Sequence, residues 1–297
     1  MKETNVIIFC YNRPIHLKKL FNKLKKFDHR KIYIVSDGPK NLEDEHDVKM
    51  VREIIYNTHL NIFKIISFKK NIGVRKIFDL GLKWVFKFEK QIIILEDDII
   101  PSKTFFSFCD ELLHKYKDEK NISEITGCNI NDKITKKLKQ SYFFSKYSNI
   151  WGWATWKDRW KDYDKNFTKF RLLLDSKKFK ANFQNNKEIK FWNRYFKMHK
   201  QDRNFGTWDY AWTYTNFFKK RLSIVPKINL VKNIGFDKGT GKNPKKVSNL
   251  KINNMKLPLK HPKKIDIHNI YDVYNSRYIY SIPKLSWKLK KKFLSFF

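Results

Sequence analysis

The chain runs to 297 residues, 41% of them hydrophobic, which suffices for one large α/β domain or two small ones around a real core. Lys plus Arg exceed Asp plus Glu by 64 to 29, a formal charge of +35 that attracts nucleic acid, acidic lipid or a sugar nucleotide, although a compositionally biased genome would leave the same excess on an ordinary solvated surface. No apolar run approaches the roughly 20 residues that cross a bilayer and Met1-Lys2-Glu3-Thr4 does not open a signal peptide, so the body of the protein is expected in the cytoplasm.

Short β-rich runs alternate with helical patterns through the first half, the mark of a parallel sheet flanked by helices. Val6-Ile7-Ile8-Phe9-Cys10 reads as a buried first strand. After Asn12-Arg13-Pro14, Leu17, Leu20, Phe21 and Leu24 fall at helical spacing, with Pro14 suited to the first turn. A second strand is expected over 32–35, ending in Ser36-Asp37-Gly38-Pro39, and an acid-capped helix over 43–56 leads to a third strand over 62–67. Asn71-Ile72-Gly73 is a loop, followed by an amphipathic helix through Val74, Ile77, Phe78, Leu82, Val85 and Phe86. The fourth strand, 92–95, is apolar on both faces and is expected at the centre of the sheet. Glu96-Asp97-Asp98-Ile99-Ile100-Pro101 follows, then a helix with Phe105, Phe106, Cys109, Leu112 and Leu113 on its inner side. Beyond Ile125 the alternation gives way to Trp-rich stretches, and the Lys-rich segment 238–264 reads as a loop or linker. Cys10, Cys109 and Cys128 lie far apart without CxxC spacing and are expected as reduced structural thiols.

In open α/β sheets ligands bind beyond the carboxyl ends of the strands, where the three acids lie. Adjacent aspartates after an apolar strand repel each other, and a divalent cation carrying a diphosphate compensates them; hard oxygen ligands suit Mg2+ or Mn2+. Successive residues of an extended chain point to opposite sides, so the acids are expected to divide between metal, ribose and sugar. A solvated acidic turn is the plain alternative. Tyr11-Asn12-Arg13 and Ser36-Asp37-Gly38 reach the same edge. There Arg13 can meet a phosphate and Asp37 a base N–H, or they are a surface arginine and an ordinary Asp-Gly turn.

In this order the motifs resemble GT-A glycosyltransferases, closest in pattern to the N-acetylglucosaminyltransferase I type and related bacterial sugar transferases. The likeness runs through Val6 to Pro14, Val35-Ser36-Asp37-Gly38, Leu95-Glu96-Asp97-Asp98 with Pro101 and Phe105-Phe106, and Ile125-Thr126-Gly127-Cys128-Asn129. It continues in Trp151-Gly152-Trp153-Ala154-Thr155-Trp156, Thr207-Trp208-Asp209 and Asn233-Ile234-Gly235-Phe236. The resemblance implies an α/β, Rossmann-like GT-A domain over 1–237, with a nucleotide-sugar half to about 130 and an acceptor half over 131–237. A Lys-rich loop or linker over 238–281 and an amphipathic helix over 282–297 complete the expected organisation.

The activity implied is metal-dependent inverting transfer of a hexosyl or N-acetylhexosaminyl group from a nucleotide sugar, UDP-linked by resemblance, to a glycan. Asp98 would coordinate Mn2+ or Mg2+, Glu96 and Asp97 would hold the donor sugar and ribose, Asp37 would bind the base and Arg13 would lie near the nucleotide. Tyr11 is placed in the nucleotide pocket and Arg75 on the donor side, with a packed aromatic and a helix-surface arginine as the alternatives.

Inverting transfer needs a general base at the acceptor hydroxyl. Asp209 is assigned that role, in an aromatic setting that can stack on sugar rings and raise a carboxylate's proton affinity; a helix N-cap is the alternative. The family pattern has two acids after the tryptophan, and here Tyr210 takes the second place. Related chains carry a histidine after the Gly-Phe pair; Gly235-Phe236-Asp237 is not followed by one, so no second metal ligand is assigned.

Over 282–297, Ile282, Leu285, Leu289, Phe293 and Phe296 share one helical face, with Lys284, Lys288 and Lys291 roughly opposite. That suits packing onto the core or a peripheral position on an anionic inner membrane face, where a lipid-linked glycan would be the acceptor. Three other readings compete, one of them a catalytically inactive sugar-binding relative. Nucleic-acid binding has the charge and aromatics but no recognition motif, and a metal-dependent phosphohydrolase would need further His and Asp clusters.

Overall fold

The computed structural model describes residues 3–25, 30–170, 183, 186–202, 207–236 and 250–279. The first four strands, β1 (Val6–Cys10), β2 (Ile32–Ser36), β3 (Ile62–Ser67) and β4 (Gln91–Glu96), are joined by α1 (Pro14–Leu24), α2 (Leu42–Tyr56) and α3 (Val74–Val85). They run parallel in the order β3-β2-β1-β4. The chain therefore winds outward from β1 to β3 and then returns to lay β4 on the free side of β1. That reversal opens a crevice beyond the carboxyl ends of β1 and β4.

Both faces of β1 and β2 are buried, which is why they read as continuous apolar runs. The remaining helices are α4 (Phe105–Lys115), α5 (Lys157–Trp160), α6 (Asn186–Gln201), α7 (Trp208–Lys219) and α8 (Asn269–Tyr274). Val6, Ile8 and Cys10 join a core with side chains of α1, α2 and α4, while Ile7 and Phe9 join another with α3 and α7. Pro14 opens α1, and the Asn41 side chain caps α2 by accepting from the Asp44 amide at 3.1 Å.

The second half extends the same sheet by strands that the alternation did not reveal. Next to β4 lies β8 (Trp153–Trp156), then β6 (Ile122–Thr126), β9 (Leu222–Pro226) and β7 (Tyr142–Ser145). β8 is antiparallel to both β4 and β6, β6 is parallel to β9, and β7 is antiparallel to β9. These strands have four or five residues each and β6, β7 and β8 are buried throughout, too short and too uniform to show a period. A small antiparallel ribbon of β5 (Ile99–Pro101) and β10 (Val231–Asn233) sits beside the crevice, with Asn233 opposite Ile99. Gly152 adopts φ 56°, and a Cβ there would stand 2.8 Å from Val231 of the ribbon.

Of the Lys-rich segment, residues from 250 onward are irregular up to α8 yet fastened to the body. Met255, Leu259 and Tyr271 are buried, and the Ser141 amide donates to Lys260 O at 2.7 Å. The expected helix over 282–297 lies outside the described residues. Among the described residues no helix is long and apolar enough to cross a membrane. All three cysteines are buried and unpaired.

Candidate active site

The acids stand where the strand order reverses. Phe9 of β1 pairs with Glu96 of β4, so the turn after β1 faces the acidic turn directly. The Asp97 amide donates to Phe9 O at 3.0 Å, and Asp97 Oδ2 accepts from the Tyr11 amide at 3.1 Å. Arg13 Nη1 reaches Asp98 Oδ2 at 2.5 Å. A cavity of about 580 Å3 opens here, lined among others by Tyr11, Arg13, His16, Asp37, Asn71 and all three acids.

Burial makes all three acids hold their protons more tightly than exposed carboxyls do. Burial lifts the Glu96 carboxyl well above the usual range, helped by the charges of Asp98, Asp97 and Asp209. Asp97 is pushed up to about 7 by burial and by Asp98, with Arg13 and the Tyr11 amide pulling the other way. Burial also raises Asp98, against the opposing pull of Arg13 and His16.

Asp98 lies beneath the β5–β10 ribbon. Its carbonyl accepts from the Ile234 amide at 2.8 Å, and His16 Nε2 lies 3.0 Å from Ile234 O. A Cβ on Gly235 would fall 2.1 Å from Asp98 Oδ2 and 2.7 Å from Arg13 Nη1, so any side chain there displaces the carboxylate or the guanidinium. Phe236 meets Trp151 edge-on at 5.6 Å, which sets one tryptophan of the 151–156 stretch beside this corner.

The other sequence-selected residues divide. Tyr11 lines the cavity, with its hydroxyl donating to Asp44 Oδ2. Asp37 also lines the cavity, but its carboxylate is engaged by four donors. The Gly38 and Ile72 amides lie at 2.9 Å, Asn71 Nδ2 at 3.0 Å and the Gly73 amide at 3.2 Å, so it fastens the 71–73 loop to the end of β2. Arg75 is not in the cavity wall; Nη2 donates to Lys165 O at 3.2 Å.

Asp209 occupies the first turn of α7, whose N-cap residue is Thr207, and the Thr207 hydroxyl donates to Asp209 Oδ1. Its neighbour Trp208 is stacked between Phe78 (4.4 Å) and Trp153 (5.3 Å), which fixes the helix start against the cavity's apolar wall. Asp209 is close enough for its charge to act on Glu96. Tyr210 turns instead to α6, stacking on Tyr195 at 4.9 Å.

Three contributors escaped the sequence reading. Asp44 holds Tyr11 and accepts from Asn12 Nδ2 at 2.6 Å, and the legible signal was its place in the acidic first turn of α2. Asn71 and His16 line the cavity, and no local pattern marked either.

A divalent cation suits this donor set in charge and in chemistry: three crowded carboxylates, all lifted by burial, face one guanidinium. Among the described residues no three His, Cys, Asp or Glu side chains converge on one point.

No protein-family model matches the chain, and no curated protein matches it in sequence. Solved structures do align at low similarity. UDP-glucose pyrophosphorylase complexed with UDP-glucose is 9% identical over 75% of this chain and 90% of that one, with a TM-score of 0.33. Mouse xyloside xylosyltransferase 1 is 11% identical over 74% and 82%, with a TM-score of 0.32. The glycosyltransferase GlyE of Streptococcus pneumoniae is 10% identical over 74% of this chain and 44% of its own, with a TM-score of 0.31. Likeness of this degree carries no functional argument, which rests on the site.

Proposed function

We propose that the protein is a metal-dependent, inverting glycosyltransferase of the GT-A type, moving a sugar from a nucleotide-sugar donor, a UDP-sugar, to a glycan. The observation that carries this reading is the cluster of Glu96, Asp97 and Asp98 with Arg13 at the strand-order reversal, within electrostatic reach of Asp209.

Asp98 would hold Mn2+ or Mg2+, which when bound supplies positive charge to the donor diphosphate. Arg13, already beside Asp98, is placed to pair with a phosphate oxygen once the donor enters. Tyr11 and the loop braced by Asp37 wall the nucleoside end. Glu96 and Asp97 offer acceptors to the sugar and ribose hydroxyls. Asp209, with Oδ1 held by Thr207, takes the proton of the acceptor hydroxyl as that oxygen attacks the anomeric carbon opposite the leaving diphosphate. The aromatic bed of Trp208, Phe78 and Trp153 keeps this carboxylate in a fixed place.

The test is a panel of nucleotide sugars assayed for Mn2+-dependent release of nucleotide, with the unaltered protein beside Asp98→Ala and Asp209→Ala. Turnover of one donor that both substitutions abolish is expected. Failure of every donor to bind or turn over in the presence of metal would overturn the proposal.

A further inference from the structure

The edge of the sheet opposite the acids carries a second concavity, of about 700 Å3, that the transfer chemistry does not use. Its floor includes Trp156, where β8 ends opposite Gln91 at the start of β4, together with Phe86, Trp160 and Tyr163. Its rim holds Lys87, Lys90, Lys117, Lys157 and Lys161, all exposed and none within ion-pair distance of a carboxylate among the described residues. Lys83, also in the wall, is paired with Asp79. The same edge continues across β2 and β3 with Lys31 and Lys64 and with the exposed rings of Phe63 (42%) and Phe88 (49%). Asp158, in the wall and 48% exposed, is tied to Lys120 and Arg159, and Glu89 accepts from Tyr33 and Asn5; Asp118 and Glu119 are further exposed carboxylates beside Lys117. Ammonium groups crowded around an apolar hollow repel one another until an anion enters.

We propose that this hollow and its rim dock onto the headgroups of an anionic lipid surface. Lysine stems around a floor of buried rings, Phe86, Trp156 and Trp160, with the half-exposed Phe63 and Phe88 farther along the same edge, match the layered polarity of a bilayer interface, with phosphate outermost and glycerol and acyl carbons below. A single-stranded nucleic acid fits less well because it gains from free ring faces on which bases stack. Here those faces are taken. Tyr163 stacks on Trp160 at 4.3 Å, Arg159 lies over Trp156 at 4.3 Å, Lys31 over Phe63 at 4.3 Å and Lys64 over Phe88 at 4.8 Å. Docked by this edge, the protein holds its acidic crevice one strand length, about 20 Å, from the lipid.

The test is co-sedimentation of the full chain with vesicles of phosphatidylcholine alone and of phosphatidylcholine containing phosphatidylglycerol. The variants are Lys87→Glu/Lys117→Glu/Lys161→Glu and, as a control of equal charge change at the acid-bearing edge, Lys133→Glu/Lys136→Glu/Lys137→Glu. Binding is expected only with the acidic vesicles, weakened roughly tenfold or more by the first triple substitution and far less by the control. Circular dichroism and UDP binding serve as the check that each variant is folded. Equal losses in both variants would reduce the effect to net charge and overturn the proposal, as would undiminished vesicle binding by the first. Binding of a single-stranded oligonucleotide that depends on Lys87, Lys117 and Lys161, without vesicle binding, would transfer the site to nucleic acid and overturn it too.

Discussion

Arg13 and Asp98, 85 positions apart in sequence, meet at 2.5 Å where the turn after β1 faces the end of β4. The pair joins the two sides of the strand-order reversal and supplies a cation within the acid cluster. Asp98→Asn keeps the shape and removes the charge. Affinity for UDP in the presence of Mn2+ is expected to fall roughly 100-fold, the upper end of what disturbing the groups around a bound metal costs. Calorimetric titration measures it, and unchanged affinity would remove Asp98 from the metal role.

Gly235 stands against the same pair. Gly235→Ala puts a methyl where Asp98 Oδ2 and Arg13 Nη1 already sit, so the carboxylate or the ribbon has to move. Metal-dependent donor binding is expected to weaken by about tenfold or more, since a misplaced ligand group costs on that scale. The melting temperature should change little, because Ile234 and Phe236 are only half-buried and belong to none of the main core clusters. Equal donor affinity in the two proteins would show that the carboxylate does not need this position.

Asp209→Asn separates proton transfer from binding. A drop in kcat of about 10² to 10⁴ is expected, with the donor dissociation constant unchanged. Steady-state kinetics with the donor and acceptor found in the panel, beside equilibrium donor binding, make the comparison. Loss of donor binding in step with kcat would assign Asp209 to the donor side.

Glu124 gives a pH signature away from the crevice. It is fully buried in β6 and accepts from Trp212 Nε1 at 2.5 Å and Ser223 Oγ at 2.9 Å. Burial lifts its carboxyl from 4.5 to about 7, against the pull of those donors. The folded protein therefore holds this proton more tightly than the unfolded chain. Its stabilising contribution is full below about 4.5, declines as the pH rises to about 7 and stays lost above, an effect of about 3 kcal/mol. Glu124→Gln lacks that decline, so its stability relative to the unaltered protein should improve between pH 5 and pH 8 in denaturant titrations. Parallel pH dependences would show that Glu124 is ionised throughout.

The parallel half was readable because each of its signals is local. The apolar runs of β1, β2 and β4, Pro14 at the start of α1 and the acids after β4 each lie within a few residues, and burial on both faces leaves a plain hydrophobic run. The second-half strands β6, β7 and β8 left no such mark: Ser123, Glu124 and Thr126 interrupt the apolar residues of β6, and β7 and β8, four residues each and buried throughout, are too short to show a period. Asp37 shows the limit within a single residue. Its position at the end of β2 was legible, whereas the four donors that close around its carboxylate come partly from a loop more than 30 residues away.

By itself, then, the sequence determined which segments form the strands of the parallel half, that three acids end its central strand and that lysine and arginine are in large excess, because these are properties of composition and short-range pattern. Tertiary structure alone decided that Arg13 meets Asp98, that Gly235 leaves room for that contact, that Asp44 braces Tyr11 and that scattered lysines gather around a hollow at the far edge. Such distances depend on strand order and on the turns that set it, and no local stretch of chain encodes them.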